Sequence, residues 1–469
     1  MSVAAALLKD HRPPAETGRP WWDETRATSK LALPLILAQL AQMAIGTTDV
    51  VMTGWLGPEK LAAGTLATNY MFPMFFLGMG ILAAVAPLIS QALGARQFRG
   101  VRRSVRQGLW AGLAIALPYF ALLYFSTPIM GLLGQQPQAV LLAEGYLRAV
   151  LVSVPFVLWL IPLRIFIAAH GKAHIVLVSS TTGFLLNILG NYALMFGNFG
   201  FPRLELVGAA ISSVLVNIAM FAVLLGYCLT QKRLRRYHIL ARWWRPDWTR
   251  FRTIFRIGVP IGLTNLAEVG LFSAASFLIG TISIGALAAH AIALQCAALS
   301  FMVPYGLAQA TTIRVGLKIG AQDRPGVRRA GLVSLLMGLG YASTAALLFA
   351  LAGNFIAGLF LDRSDPAALP VIGIAVQLLV IAAIFQLFDA TQTIALGALR
   401  GLRDTAVPMV IAIFGYWGLG FPAAIALGFW VDLGEGWSGV YGVWLGFVIG
   451  LASVALCLTA RFLSRTRPG

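Results

Sequence analysis

Long apolar segments alternate with short polar ones along the chain, and this alternation predicts twelve membrane-spanning helices. A helix needs about 20 consecutive apolar residues to cross the hydrocarbon core of a bilayer, and segments such as 31–56 and 206–230 reach that length. The predicted spans cover residues 30–56, 60–92, 104–126, 140–169, 173–197, 206–230, 252–282, 285–318, 327–353, 368–399, 405–430 and 437–462. We therefore predict an all-α integral membrane protein.

The polar connections between these spans differ in charge on the two sides of the predicted membrane. Five arginines lie from Arg96 to Arg106, between span two and the beginning of span three, and eight lysines and arginines lie from Lys232 to Arg252, between span six and the beginning of span seven. Cytoplasmic connections carry an excess of Lys and Arg, so the pattern places both termini in the cytoplasm. The opposite connections hold few basic residues, namely Lys60, Arg203 and Arg363. They also carry the acidic residues Glu59, Glu205, Asp362, Asp365, Asp432 and Glu435.

The two halves of the chain repeat each other with an offset of 226 residues, which aligns Pro34 with Pro260 and Gly80 with Gly306. Because each half has an even number of spans, we predict two parallel six-helix lobes related by a pseudo-two-fold axis along the membrane normal. Many transporters have this design, although a duplication can also simply build a helix bundle. The predicted parts are a cytoplasmic arm (1–29), a first lobe (30–230), a basic cytoplasmic linker (231–251), a second lobe (252–462) and a cytoplasmic tail (463–469).

Composition excludes several classes of function. Only 11% of the 469 residues are charged, against about 25% in soluble domains. The net charge of +18 could suggest a nucleic-acid partner, but the basic residues lie in short clusters between spans, as membrane topology requires. The chain has no phosphate-binding loop, nucleophile elbow or paired-histidine motif. We therefore expect neither an enzyme nor a protein with a cofactor.

Three acidic residues, Asp49, Glu268 and Asp389, lie within apolar spans. Each costs about 2.5–3.5 kcal/mol at the centre of a membrane helix, and such groups usually mark ion or proton pathways. Arg164 and Arg314 are the only deep basic candidates to pair with them, and both side chains can reach towards the cytoplasmic face. The three carboxylates therefore indicate ion-coupled transport.

Polar residues near these carboxylates recur three or four positions apart, so each helix presents one narrow polar stripe. Lipid cannot accept such a stripe, which must face protein or water. Two interpretations of the amides stay open: they bond neighbouring helices together, or they line a transport pathway. The candidates for the substrate pathway are Gln39, Gln42, Asn265 and Gln386.

Three segments resemble the multidrug and toxic compound extrusion (MATE) family of transporters, most closely its NorM-type bacterial branch. The first span, from Pro34 through Asp49 to Gly57, resembles the family's first span. The segment from Arg256 to Glu268 resembles its seventh span, and the segment from Phe385 through Asp389 to Thr405 resembles its tenth span. The resemblance covers residues 28–462.

The resemblance implies a monomer of two lobes in the cell inner membrane, which exports drugs, mostly organic cations, in exchange for Na⁺ or H⁺. It implies a cation site at Glu268 and Asp389, and it points in the first lobe to Asp49 with Asn187 and Asn191. Na⁺ prefers oxygen ligands, and a proton would serve if burial favours the neutral carboxyl group. Phe385 departs from the pattern, because some members have a tyrosine there. A flippase for lipid-linked precursors and an ion channel are the alternative functions.

Overall fold

In the part of the chain that the structure describes, twelve helices are long and apolar enough to cross a membrane, as the sequence predicts. The computed structural model describes residues 19–241, 243–245, 247–362, 364–366, 368–431 and 439–467, and these residues contain no β-strand. The helices are α1 (Pro20–Gly54), α2 (Pro58–Gly94), α3 (Phe98–Tyr124), α4 (Pro137–Ala169), α5 (Ala173–Leu194), α6 (Glu205–Thr230), α7 (Trp248–Gly280), α8 (Ile284–Gly320), α9 (Arg324–Ala357), α10 (Leu369–Gly401), α11 (Ala406–Trp430) and α12 (Val440–Arg465).

The first helix differs most from its predicted limits, because it begins at Pro20 and not near residue 30. Proline is favoured at the first turn of a helix, where its missing N–H needs no partner. The predicted arm therefore ends in a helical segment continuous with the first span. Outside the described residues lie 1–18 of that arm, Arg242 of the predicted linker, the connection residues Arg363, Asp432 and Glu435, and the last two residues of the tail.

The chain forms two compact units, and two helices contribute to both. The first unit contains Leu33–Gly262, and the second contains Pro20–Ala32 together with the chain from Leu263 onwards. The division therefore crosses α1 and α7 beside Pro34 and Pro260, both of which lie inside their helices. A proline inside a helix removes one backbone hydrogen bond and kinks the helix. We predict that these two prolines are the kink points of moving helices.

Close glycine contacts join α2 to the beginning of α7 within the first unit. A Cβ atom at Gly80 would collide with the backbone of Gly262, and one at Gly258 would collide with the backbone of Ile81. Small residues let membrane helices approach until their backbones touch, which maximises packing where no hydrophobic force acts between helices. The beginning of α7 is thus fixed on α2 by backbone contact.

The second unit is built around α10, which packs against α8, α9 and α12. Phe385 on α10 is buried against Phe272 of α7 and Trp444 of α12. At the position where some members of the resembled family have a tyrosine, this chain therefore has an aromatic packing residue.

A buried ion pair holds the first residues of α1 in the second unit. The guanidinium group of Arg314 on α8 donates to both carboxylate oxygens of Glu24, through Nε and Nη2, each at 2.7 Å. Glu24 is only 3% exposed, and this two-pronged geometry is the strongest form of an arginine–carboxylate bond. Arg314 is one of the two deep basic residues noted in the sequence, and its charged partner is therefore Glu24.

Candidate functional site

Asp49 lies among neutral polar side chains in the first unit. The side-chain amides of Asn187 and Asn191 on α5 donate to its Oδ1 atom at 2.8 and 2.7 Å. Ser213 on α6 donates to Oδ2 at 3.4 Å. The spacing of four between the two asparagines places both on the same face of α5, and the third helix completes the site. The structure thus brings together the three residues that the resemblance implied for this lobe.

The two asparagine side chains leave oxygen atoms available beside this carboxylate. Both side chains are fully buried, and Oδ1 of Asn187 and Oδ1 of Asn191 have no hydrogen-bond partner. A buried polar atom without a partner is costly, and hard monovalent and divalent cations bind to oxygen ligands. A carboxylate with two neighbouring amide oxygens can therefore hold a cation once the amides reorient.

Glu268 of α7 and Asp389 of α10 are joined in the second unit by a third side chain. Nε2 of Gln392 donates to Oε1 of Glu268 at 3.3 Å and to Oδ1 of Asp389 at 3.1 Å. The hydroxyl group of Tyr416 on α11 donates to Oε1 of Gln392 at 2.8 Å, which fixes the orientation of the amide. Asp389 is 4% exposed and Gln392 is fully buried. Two carboxylates held this close can share one cation or one proton.

A basic side chain lies near the same network. Nη2 of Arg400, near the end of α10, donates to Oδ1 of Asn265 at 3.3 Å, and Asn265 precedes Glu268 by less than one helical turn. Arg400 also interacts electrostatically with Glu268. The sequence interpretation was wrong in taking Arg164 and Arg314 as the only deep basic residues. Its predicted span ended at residue 399, whereas α10 continues to Gly401.

The other pathway candidates have separate surroundings. Gln386 is fully buried, accepts a hydrogen bond from Ser300 at 3.0 Å and donates to the carbonyl oxygen of Ala297 at 3.3 Å, so it bonds α10 to α8. Gln42 accepts a hydrogen bond from Nη1 of Arg164 at 3.4 Å. Gln39 is half-buried on α1. Gln386 has the geometry of the helix-bonding alternative, and the pathway roles of all four amides stay predictions.

Several contributors to the two sites escaped the sequence interpretation. Gln392 follows Asp389 by three positions and could have been found from helical spacing. Tyr416 had no such signal, because α11 carries no charged residue near it. It lies in a π-helical segment, Phe414–Gly420, and such wide turns occur frequently at functional sites. Its hydroxyl group is the one that bonds to Gln392.

The three intramembrane carboxylates differ from several other acidic residues in their ion pairing. Among the described residues, Asp49, Glu268 and Asp389 form no ion pair, whereas Glu24, Glu144, Glu205 and Asp404 each pair with a basic side chain. In the same part of the chain, no group of three His, Cys, Asp or Glu side chains could hold a metal ion. The hydrogen bonds of these three carboxylates therefore come from amide and hydroxyl groups.

Comparison with known proteins identifies relatives over nearly the whole chain. The MatE family model matches residues 34–193 and 260–425. A probable multidrug resistance protein NorM from Rhizobium meliloti (strain 1021) is 43% identical over 454 residues, which cover 97% of this chain and 96% of the relative. A protein of the same name from Pseudomonas putida is 39% identical over 440 residues, which cover 94% of each chain.

Solved structures show the same fold. The eukaryotic MATE transporter AtDTX14 superposes with a TM-score of 0.83 at 20% identity, covering 96% of this chain and 99% of that chain. An outward-facing multidrug resistance MATE family transporter superposes with a TM-score of 0.83 at 21% identity, covering 98% of this chain and all of that chain. The match of the family model and the identity with the NorM relatives over nearly the whole chain show that this multi-pass membrane protein belongs to the MatE family of transporters.

Proposed function

We propose that this protein is a secondary active antiporter that exports organic, mostly cationic, compounds in exchange for Na⁺ or H⁺. The observation that carries this proposal is the set of three intramembrane carboxylates whose hydrogen bonds come from amides and hydroxyl groups. A carboxylate with neutral partners remains available to a mobile cation, and such groups mark ion pathways in membranes. The names of the NorM relatives support drugs as substrates.

The second-unit pair, Glu268 and Asp389, binds the coupling ion in this proposal. Na⁺ would bind to the carboxylate oxygens and to the carbonyl oxygen of a neighbouring amide. A proton would serve in the same place, because exclusion of water favours the neutral form of a carboxyl group. Gln392 holds the two carboxylates at a common point, so one ion can reach both.

Asp49 acts as the second ion-sensitive group and contacts the substrate. An ion that enters from outside neutralises negative charge that otherwise holds a cationic drug, and the drug then leaves. Aromatic side chains hold flat cations through cation–π contacts. We further infer a monomer in the cell inner membrane with both termini in the cytoplasm, which the excess of basic residues in alternate connections supports.

Purified protein in liposomes tests this function directly. We expect an imposed Na⁺ or H⁺ gradient to drive ethidium, a flat organic cation, against its own gradient, and only one of the two ions to be needed. Protein-free liposomes and liposomes without a gradient are the controls. Ionic current without counter-transport of ethidium would indicate a channel, and ion-independent movement of a lipid-linked sugar would indicate a flippase. Either outcome would contradict the antiporter.

The Asp49→Asn variant is expected to lose transport of cationic compounds more than transport of neutral ones. The substitution removes a charge and keeps the shape of the side chain. One charge-assisted contact contributes about 1.5–3 kcal/mol. Its loss corresponds to a roughly tenfold to hundredfold higher KM for the cation. Transport kinetics for ethidium and for an uncharged substrate in the same liposomes measure the difference.

Glu59→Gln is the matched control for this variant, because Glu59 is an exposed acid at the beginning of α2. We expect its transport kinetics to equal those of the unmodified protein. Equal losses for charged and uncharged substrates in Asp49→Asn would argue against contact between Asp49 and the substrate.

A further inference from the structure

We propose that Arg400 is the internal counter-cation of the second-unit carboxylates and sets their capacity at one monovalent coupling ion. This inference rests on the proposed function, because it assigns a role in coupling to a residue beside the proposed ion site. Arg400 is a positioning residue in this proposal: it does not bind the transported ion itself.

Asp389, Gln392 and Arg400 of α10, with Glu268 and Asn265 of α7, form one polar column. Asp389, Gln392 and Arg400 are spaced by three and then by eight positions, which places them on the same face of α10. Along α7, Glu268 contacts Gln392, and Asn265 contacts Arg400. The two helices therefore bear matching polar groups, with the carboxylates at one end and the guanidinium group at the other.

The charges of this column determine how many ions it accepts. With both carboxylates ionised, two negative charges face one permanent positive charge, because a guanidinium group stays protonated in proteins. One negative charge remains, and one Na⁺ or one proton neutralises it. Asn265 holds the guanidinium group by a hydrogen bond beside Glu268 and does not neutralise it. The arginine therefore lowers the affinity of the site for cations, which allows the ion to leave again.

The titratable groups that face the column from neighbouring helices are the phenols of Tyr305 on α8 and Tyr416 on α11. Both interact electrostatically with groups of the column. Phenols keep their proton near neutral pH, so Glu268, Asp389 and Arg400 carry the charge that the coupling ion meets. Removal of the arginine leaves two negative charges without an internal partner.

The test measures ethidium flux in liposomes as a function of the concentration of the coupling ion. In the Arg400→Gln variant we expect the half-maximal ion concentration to fall about tenfold or more, because opposite charges in a site of reduced dielectric constant interact strongly. For proton coupling, this fall is a rise of about one unit in the half-maximal pH. The maximal rate should fall as well, since the ion leaves more slowly. Arg400→Lys keeps the charge and should restore the half-maximal concentration to within about threefold.

Arg461→Gln is the matched control, because Arg461 lies in the same unit and has its own charged partner, Asp404. If the role of Arg400 were purely structural, Arg400→Gln and Arg461→Gln would both lower the thermal stability and the maximal rate. Neither variant would then change the half-maximal ion concentration. Should Arg400→Gln not fold, Asn265→Ala releases the guanidinium group and is expected to shift the half-maximal concentration about threefold in the same direction. An unchanged half-maximal concentration in the folded variant overturns the proposal. Absence of any ion dependence in the unmodified protein would instead refute the antiporter function.

Discussion

Liposomes that contain the Glu268→Gln variant are expected to show no ion-driven efflux, although the variant should fold normally. Glutamine keeps the size of the side chain and can still bond to Gln392, but it carries neither a negative charge nor an exchangeable proton. At about 4 Å and an effective dielectric constant of about 20, a carboxylate attracts a monovalent cation by about 4 kcal/mol. Loss of that energy weakens ion binding roughly a thousandfold. Ethidium flux under the gradient that drives the unmodified protein measures the effect.

Two further variants separate coupling from structure. Glu268→Asp keeps the charge and should retain part of the ion-driven flux. Glu144→Gln makes the same chemical change in an acid that pairs with Arg148 on α4, and it should leave the flux unchanged. Normal flux in Glu268→Gln would remove Glu268 from the coupling site. Thermal unfolding of the purified variants shows whether any loss of flux comes from misfolding.

The spans could be predicted from the sequence because the bilayer fixes their length and apolar character. The first helix could not be predicted to begin at Pro20, since residues 20–29 are polar and include Asp23, Glu24 and Arg26. Glu24 in this segment pairs with Arg314, 290 residues away in the sequence. No local pattern carries that information.

The carboxylates of the two sites were predictable, because charged groups in apolar spans are costly and therefore conspicuous. Their partners were predictable only where helical spacing reveals them. Asn187 and Asn191 stand four residues apart on α5, and both reach Asp49. Arg400 was missed because the predicted span ended one residue before it. Tyr416 was missed because contacts between helices depend on how the helices pack. The spacing of residues along one helix does not reveal which other helix packs against it.

Removal of the Glu24 carboxylate is expected to destabilise the protein more than removal of any exposed acid. In Glu24→Gln the guanidinium group of Arg314, whose side chain is 20% exposed, keeps most of its burial and loses its charged partner. Breaking one side of a buried ion pair costs about 3–5 kcal/mol, and partial exposure places this case near the lower value. The apparent unfolding temperature of the purified protein should fall, and the yield of folded protein should fall with it.

Much of this loss of stability arises from the buried charge of Arg314 that is left without a partner, and not only from the lost attraction between Arg314 and Glu24. A double variant can measure the difference. The double variant Glu24→Gln with Arg314→Met removes both charges and should recover part of the stability lost in the single variant, because apolar replacement of a whole buried pair is often neutral. Glu205→Gln breaks the more exposed pair with Lys60 and should cost less than about 1 kcal/mol. If Glu24→Gln were as mild as Glu205→Gln, the ion pair would not be what fixes Pro20–Ala32 in the second unit. The apolar contacts of Leu31 and Ala32, both buried, would then have to hold that segment.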